Sequence, residues 1–318
     1  MKWKKIGKIF DPRQHTLPHH CTEFAQSPQT LMCDDYMRIY FSTRETDTYG
    51  KYVSHIAYVD MDKNFKNIIR ISKHTVIESG DLGCFDEHGI FPLHICKHNG
   101  KIFGYIGGWS RRVSVPVETS IGLALSRDKG ETFKRIGNGP VVTSSVHEPY
   151  MVGDPFVRIY DDIFHMWYIY GTKWLTSPAD REPQRVYKIG HAVSKDGISW
   201  HKENKQIISD TLNSSECQAL PTVMRHKNRY HMIFCYRQAT GFRKNKKRGY
   251  RLGYAFSENL TDWVRDDDNV GITVSQDGWD SDMMCYPHVV KSGNTVYLLY
   301  NGNEFGRFGF GLAVLESI

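Results

Sequence analysis

Five prolines, Pro28, Pro92, Pro155, Pro221 and Pro287, recur along the chain, and five residues before them stand Glu23, Glu87, Tyr150, Glu216 and Asp282. Four carboxylates at one offset form a pattern with chemical content. Carboxylates crowded round one site repel one another, so that some keep a proton near neutral pH. A protonated acid beside an ionised one is the pair that cleaves a glycosidic bond. One protonates the leaving oxygen while the other activates water or attacks the sugar. The competing role for any single member is structural: capping backbone groups, or pairing with Arg44 and Arg237.

The same registration places other side chains beside these acids. Arg44 and Arg237 end the second apolar segment of repeats one and four, with Trp109 and Lys173 in similar places in repeats two and three. Cations there could orient carboxylates or bind an anionic substrate, and an aromatic could stack on a sugar face. Asp86 and His88 flank Glu87, and His147 and His288 lie near the same level. The histidine spacing matches no local metal motif, so these residues are read as hydrogen-bonding groups and no metal is expected.

The elements that must hold these residues follow from the period. Successive prolines lie 64, 63, 66 and 66 residues apart, and five such units fill the 318 residues. A fixed long period dictates architecture. Each unit carries two segments of alternating apolar and polar residues. A third follows, as in HIAYVDMDKNF (55–65), IGLALSRDKGETF (121–133) and LGYAFSENLTDW (252–263). Period-two alternation bounded by Gly, Asp and Asn marks half-buried antiparallel strands. A short fourth segment, such as FKRIGNGPVV (133–142), comes next, but the last unit stops at Ile318 without one. WKKIGKIF at 3–10 supplies it from the other end of the chain. The expectation is an all-β, five-bladed propeller over residues 1–318, four antiparallel strands per blade, closed by the N-terminal strand. Proline lacks an N–H and belongs on an unpaired edge, so each Pro-bearing segment is the inner strand of its blade.

Composition sets the outer limits. Forty per cent hydrophobic residues with 13% aromatics suffices for a core between blades. No run of 18 apolar residues occurs, so no membrane span is expected. The basic start, MKWKKIGKIFDP, lacks the apolar stretch of a signal peptide. Seven cysteines, an odd number with no C-x-x-C spacing, argue for a reducing cytoplasm rather than a disulfide framework or zinc site. No cofactor motif is present. The run Arg243-Lys244-Asn245-Lys246-Lys247-Arg248 is either a solvated loop or a clamp for phosphate or an acidic sugar. It carries no interleaved aromatic, which speaks against a nucleic-acid polymer as partner.

These features resemble the propeller clans of glycoside hydrolases that include families 32, 43, 62, 68 and 130. Gly153-Asp154-Pro155-Phe156-Val157 followed by Tyr160-Asp161-Asp162 looks like the mid-chain Asp-Pro motif of families 32 and 43. Ser215-Glu216-Cys217 is similar to the Glu-Cys motif that carries the general acid in family 32. The resemblance implies Glu216 as acid and Asp154 as stabiliser of the transition state or modulator of that acid. It also implies a base or nucleophile in the first repeat, where EFAQSPQTL offers only Glu23, so Glu87, Asp86 and Asp282 stand as substitutes. Asp154 lies one residue before its proline and Glu216 five before its own. Four residues of strand separate such positions by about 13 Å, which makes Glu148 a second candidate in repeat three. Ser126 to Phe133, SRDKGETF, looks like the Asp-box turn of sialidases, a structural device. The overall likeness is to uncharacterised cytoplasmic propellers associated with bacterial polysaccharide biosynthesis. Three functions follow: a carbohydrate-active enzyme cleaving or transferring a glycosyl group by paired carboxylates, an enzyme acting on a nucleotide-activated or phosphorylated sugar, or a non-catalytic glycan-binding propeller. The expected partner is a saccharide or activated sugar, anionic in the second reading.

Overall fold

The computed structural model describes residues 1–318. Strand β1 (Lys2–Phe10) comes first but belongs last. Blade 1 is β2 (Glu23–Met32), β3 (Met37–Thr46), β4 (Tyr52–Met61) and β5 (Ile68–Ile71). Blade 2 is β6 (Ile90–His98), β7 (Lys101–Arg111), β8 (Val117–Ser126) and β9 (Lys134–Arg135). Blade 3 runs β10 (Val152–Tyr160), β11 (Ile163–Leu175), β12 (Gln184–Ser194) and β13 (His201–Lys202). Blade 4 runs β14 (Glu216–His226), β15 (Arg229–Gln238), β16 (Arg251–Ser257) and β17 (Val264–Arg265). Blade 5 is β18 (Cys285–Ser292), β19 (Thr295–Asn301) and β20 (Phe310–Ser317), with β1 as its outer strand. All pairings within blades are antiparallel. The five-bladed propeller and its closure by the N-terminal strand are therefore as the repeat predicts. The outer strands of blades 2 to 4 are shorter than expected, two residues each. The chain leaves the sheet there to cross to the next blade; Val142, for example, returns only as an isolated bridge to Ile121.

Alternation builds five apolar clusters, one for each seam of the ring. Ile39, Phe41, Ala57 and Val59 of blade 1 meet Phe10, Leu299 and Phe310 of blade 5. On the other face of the same sheet Tyr40, Ile56 and Tyr58 meet Leu93, Ile95 and Ile106 of blade 2. Equivalent clusters join blades 2 and 3, 3 and 4, and 4 and 5.

One irregularity recurs in every inner strand. The register slips at Gln26/Gln29, Ile90/Leu93, Gly153/Phe156, Ala219/Thr222 and Cys285/His288, so a bulge sits at each X-Pro dipeptide. Ser27, Asp154, Leu220 and Tyr286 adopt φ of 51°, 51°, 46° and 56°, whereas blade 2 has a cis Phe91–Pro92 bond. Left-handed φ is uncommon without glycine, and bulges re-aim side chains beside functional sites. The residue before each proline is turned out of the sheet's alternation.

The serine-led turn at 126–133 is structural, as expected. Ser126 Oγ accepts from Gly130 N at 2.8 Å and the Asp128 carboxylate accepts from Thr132 N at 3.0 Å. Ser194 with Asp196 and Ser257 with Asn259 repeat it in blades 3 and 4.

The seam between blades 1 and 2 also holds a buried charge network. The Arg38 guanidinium, wholly buried, donates to both Asp60 oxygens at 2.7 and 2.8 Å and to Glu131 at 2.8 Å. Arg70 bonds the same two carboxylates. Removing one partner strands a charge in low dielectric, at a cost of about 3–5 kcal/mol. Asp60→Asn is expected to destabilise the protein by about 3 kcal/mol, read as a lower urea midpoint with unchanged slope.

Candidate active site

Side chains of the inner strands meet one another across the central channel. His94 lies between the Gln29 side-chain amide, 2.8 Å from Nδ1, and the Val157 carbonyl, 3.0 Å from Nε2, and His288 Nε2 meets the Thr30 hydroxyl at 2.8 Å. Phe156 packs against both rings. Burial pushes both imidazoles toward the neutral form, His94 to about 3. His288 is thus part of an uncharged plug rather than a substrate contact.

Above the plug a cavity of about 580 Å³ opens at one end of the ring. Phe91, Asp154 and Tyr286, three of the five residues that precede the inner prolines, line it. Tyr52, Trp109, Tyr187 and Tyr250 add aromatic wall, and Arg44, Arg111, Arg112, Arg185 and Arg243 add cations. A more open cleft of about 860 Å³ on the flank between blades 4 and 5, lined largely by residues 267–276, contains no inner-strand bulge residue. A pocket of about 400 Å³ draws on the inner strands of blades 3 to 5 through Arg158, Met224 and Lys291, but the axial cavity is the better site because it gathers the residues that precede the inner prolines.

Asp154 is its buried carboxyl, only 8% exposed. No side chain hydrogen-bonds it; the charge of Arg185 and a hydrogen bond with the Leu220 backbone favour its ionised form. Burial outweighs both and pushes its pKa up to about 7. Glu182 is the other lining carboxylate and stands exposed at the rim. Among the arginines, Arg111 pairs with Asp47 at 2.7 Å and Arg112 with Glu118. Arg44, Arg185 and Arg243 have no carboxylate partner, and Nε of Arg44 and of Arg185 is buried without a hydrogen bond. Arg44 lies near Tyr52 and Tyr286 as well as Arg185 and Arg243, so three guanidinium groups share one field. Arg237 stands behind the wall: its Nη2 donates to the Tyr187 hydroxyl at 2.9 Å, that hydroxyl bonds Tyr250, and the guanidinium stacks 3.6 Å over Phe242.

The acids singled out by their offset from proline are not assembled here. Glu216 is fully buried but engaged: it pairs with Arg265 at 2.5 Å and accepts from Thr211 N, Leu212 N and Gln218. Burial alone would raise its pKa, yet the bonds from Gln218 and Arg265 hold it below the usual range. A carboxylate so held gives up no proton to a substrate. Glu87 accepts from Gly83 N at 2.7 Å and neighbours His88. Asp282 pairs with Lys246 at 2.7 Å and Glu23 with Arg307 at 2.8 Å. Lys173 lies on β11 outside the cavity wall and Tyr150 is exposed. His147 is exposed too, and His88 stacks on Trp109 at the rim.

The acidic repeat has a structural explanation instead. In four blades a buried carboxylate just before or at the start of the inner strand binds a cation on the outer strand of the same blade. The pairs are Asp86 with Arg135, Glu148 with Lys202 at 2.6 Å, Glu216 with Arg265, and Asp280 with Lys5 at 2.7 Å. Each clamps the incoming segment across its blade. Asp86 and Glu148 are thus clamp residues, and blade 1 substitutes the Glu23–Arg307 pair.

No family model matches the chain. It is 32% identical over 317 residues to the uncharacterised protein MT1551 of Mycobacterium tuberculosis, covering 100% of both chains. The chain belongs to that protein's family. A stretch of 138 residues, 42% of the chain, is 29% identical to a 1,2-β-oligomannan phosphorylase of Thermoanaerobacter sp., 44% of which it covers. A solved glycoside hydrolase superposes with a TM-score of 0.74 at 16% identity, over 99% of this chain and 93% of that one. A β-1,2-mannobiose phosphorylase from Listeria innocua gives 0.71 at 10% identity, over 98% and 96%. The fold is that of the five-bladed glycoside hydrolases and phosphorylases.

Sequence reasoning missed Arg185, Tyr52, Tyr187, Tyr250, Phe91 and Tyr286 as wall residues. The signal that finds Phe91, Asp154 and Tyr286 is the position immediately before each proline. The tyrosines of β4 and β12 and Arg185 carry no comparable mark.

Two outcomes are expected. Arg265→Met leaves Glu216 buried and unpaired, and is expected to cost about 3 kcal/mol in urea unfolding. For Asp154, the folded pKa near 7 exceeds the unfolded value of about 3.9, so the folded state keeps a proton that the unfolded chain releases. Stability is therefore expected to fall as pH rises from about 4 to 7 and to level off above. Asp154→Asn is expected to remove that decline and to abolish an infrared carboxyl band that titrates near pH 7.

Proposed function

We propose that this protein is a carbohydrate-active enzyme that transfers a glycosyl group between a saccharide and phosphate in the axial pocket. The observation that carries this reading is the pairing of one proton-holding carboxyl, Asp154, with three guanidinium groups that lack carboxylate partners, Arg44, Arg185 and Arg243. Hydrolysis by paired acids asks for a second carboxylate about 5–9.5 Å from the first. The acids at the repeat offset are bound to partners of their own, and Glu182 is exposed at the rim. A phosphate nucleophile removes that need, because it arrives ionised and is held by guanidinium forks. Phosphate attacks the anomeric carbon, the glycosidic C–O bond breaks, and the leaving oxygen takes the Asp154 proton. The products are a sugar 1-phosphate and a shortened saccharide. Tyr52, Phe91, Trp109 and Tyr286 offer faces on which sugar rings stack. Arg237 acts as a positioning residue for Tyr187 and Tyr250.

The phosphorylase names of the partial sequence relative and of one structural neighbour agree with this chemistry. A nucleotide-activated or phosphorylated sugar is the second reading, favoured by Arg243, which brings one end of the 243–248 basic loop to the pocket. Seven free thiols suit a reducing compartment.

The deciding experiment incubates the protein with β-1,2-linked mannooligosaccharides and inorganic phosphate and follows products by phosphorus NMR. Phosphate-dependent appearance of a sugar 1-phosphate is expected. Asp154→Asn should lower turnover by about 10²–10⁴-fold, and Arg185→Met should chiefly raise KM for phosphate. Saccharide cleavage that is independent of phosphate and unaffected by Asp154→Asn overturns the proposal. Thermal stabilisation by sugar nucleotides, with none by phosphate, selects the second reading.

A further inference from the structure

Away from the pocket, on the face of blade 1 that meets blade 5, three metal-type donors from the turn before β2 and from β3 and β4 converge. His55 on β4 lies opposite Thr43 of β3, and Glu45 is two residues further along β3 on the same face. Glu45 Oε1 stands 2.7 Å from His55 Nε2. The His19 ring, from the turn at Pro18–His20, stacks on the His55 ring with centroids 3.9 Å apart and planes 7° from parallel. One donor atom from each of the three lies within 4.8 Å of the others, and all three side chains are half-buried. The Thr75 hydroxyl bonds His19 Nε2 at 3.1 Å, which leaves Nδ1 as the free nitrogen of that ring. Such outer bonds are what orient ligating imidazoles.

We infer that His19, Glu45 and His55 bind a divalent transition metal, zinc by the chemistry of the donor set. Two imidazoles and one carboxylate suit zinc, whose bonds of about 2.0–2.2 Å place neighbouring ligands of a tetrahedral ion about 3.3 Å apart. Imidazole lone pairs lie in the ring plane, so binding turns the two histidines out of their face-to-face stack as the Glu45–His55 contact opens, and water completes the shell. The place of the site gives it a role. Residues 11–22 link the closing strand β1 to the first inner strand β2, and His19 is their contact with the β3–β4 sheet at this point. Thr75 adds the crossover from blade 1 to blade 2. A metal here staples the seam at which the first and last blades meet, the join on which ring closure depends.

The test uses full-length protein without a histidine tag, stripped with EDTA and titrated with zinc chloride at neutral pH. One zinc per chain by atomic emission and a rise in Tm of about 3 °C or more are expected, with both lost in His55→Ala and in His19→Ala. Cobalt(II) is expected to give the visible bands of a four-coordinate N/O site. If the alanine variants do not fold, this spectrum of the unaltered chain decides the matter. No zinc uptake, equal uptake by folded His55→Ala protein, or a sulfur charge-transfer band showing cobalt on a cysteine each overturns the inference. These outcomes are independent of catalysis, so they leave the phosphate-transfer proposal untouched.

Discussion

Each blade has to pin an incoming segment across its upper edge before its inner strand can descend the channel. The buried carboxylate–cation clamp does this in blades 2 to 5, as Asp86–Arg135, Glu148–Lys202, Glu216–Arg265 and Asp280–Lys5. A fully buried charge is tolerated only with a partner and supplementary hydrogen bonds, and Glu216 shows both. The clamp joins the two ends of a four-stranded sheet that the backbone ladder connects only step by step. With that join made, the inner strand enters at a fixed height, and the residue before its proline is aimed at the axis.

The clamps also decide the electrostatics of the pocket. By neutralising the other inner-strand acids they leave Asp154 as the buried carboxyl that faces the cavity. By consuming Arg135, Arg265, Lys202 and Lys5 they separate structural cations from the free ones, Arg44, Arg185 and Arg243. A carboxyl that keeps its proton near neutral pH beside cations that lack counter-ions is complementary to a substrate bearing both a basic leaving oxygen and an anionic group. Stacked aromatics and the Tyr187–Tyr250 pair hold the wall, with the Arg237 guanidinium set behind them.

Much of this was legible beforehand, and the exceptions are instructive. The period, the alternation and the orphan segment at 3–10 specify five sheets and their closure, because those features are backbone geometry written as hydrophobic pattern. The Asp-Pro dipeptide at 154–155 marks a residue of the pocket. The offset that picked Glu23, Glu87, Glu216 and Asp282 finds segments near the clamps rather than a reaction centre. It found one clamp, Glu216, and passed within two residues of Asp86, Glu148 and Asp280. An ion pair and a catalytic acid draw on the same residue types, and spacing along the chain does not tell which carboxylate meets a cation.

The ring, its number of blades, the strand that closes it and the edge position of the prolines are written in the residue order, since each follows from periods of two and of about 65 residues. Which acid stays unpaired, which arginines lack a carboxylate, and that His19 meets Glu45 and His55 are settled by folding in three dimensions. Those outcomes depend on side chains brought together from different blades or segments. Burial and distance, which set the charge of Asp154 and the partner of Glu216, exist only once the ring has closed.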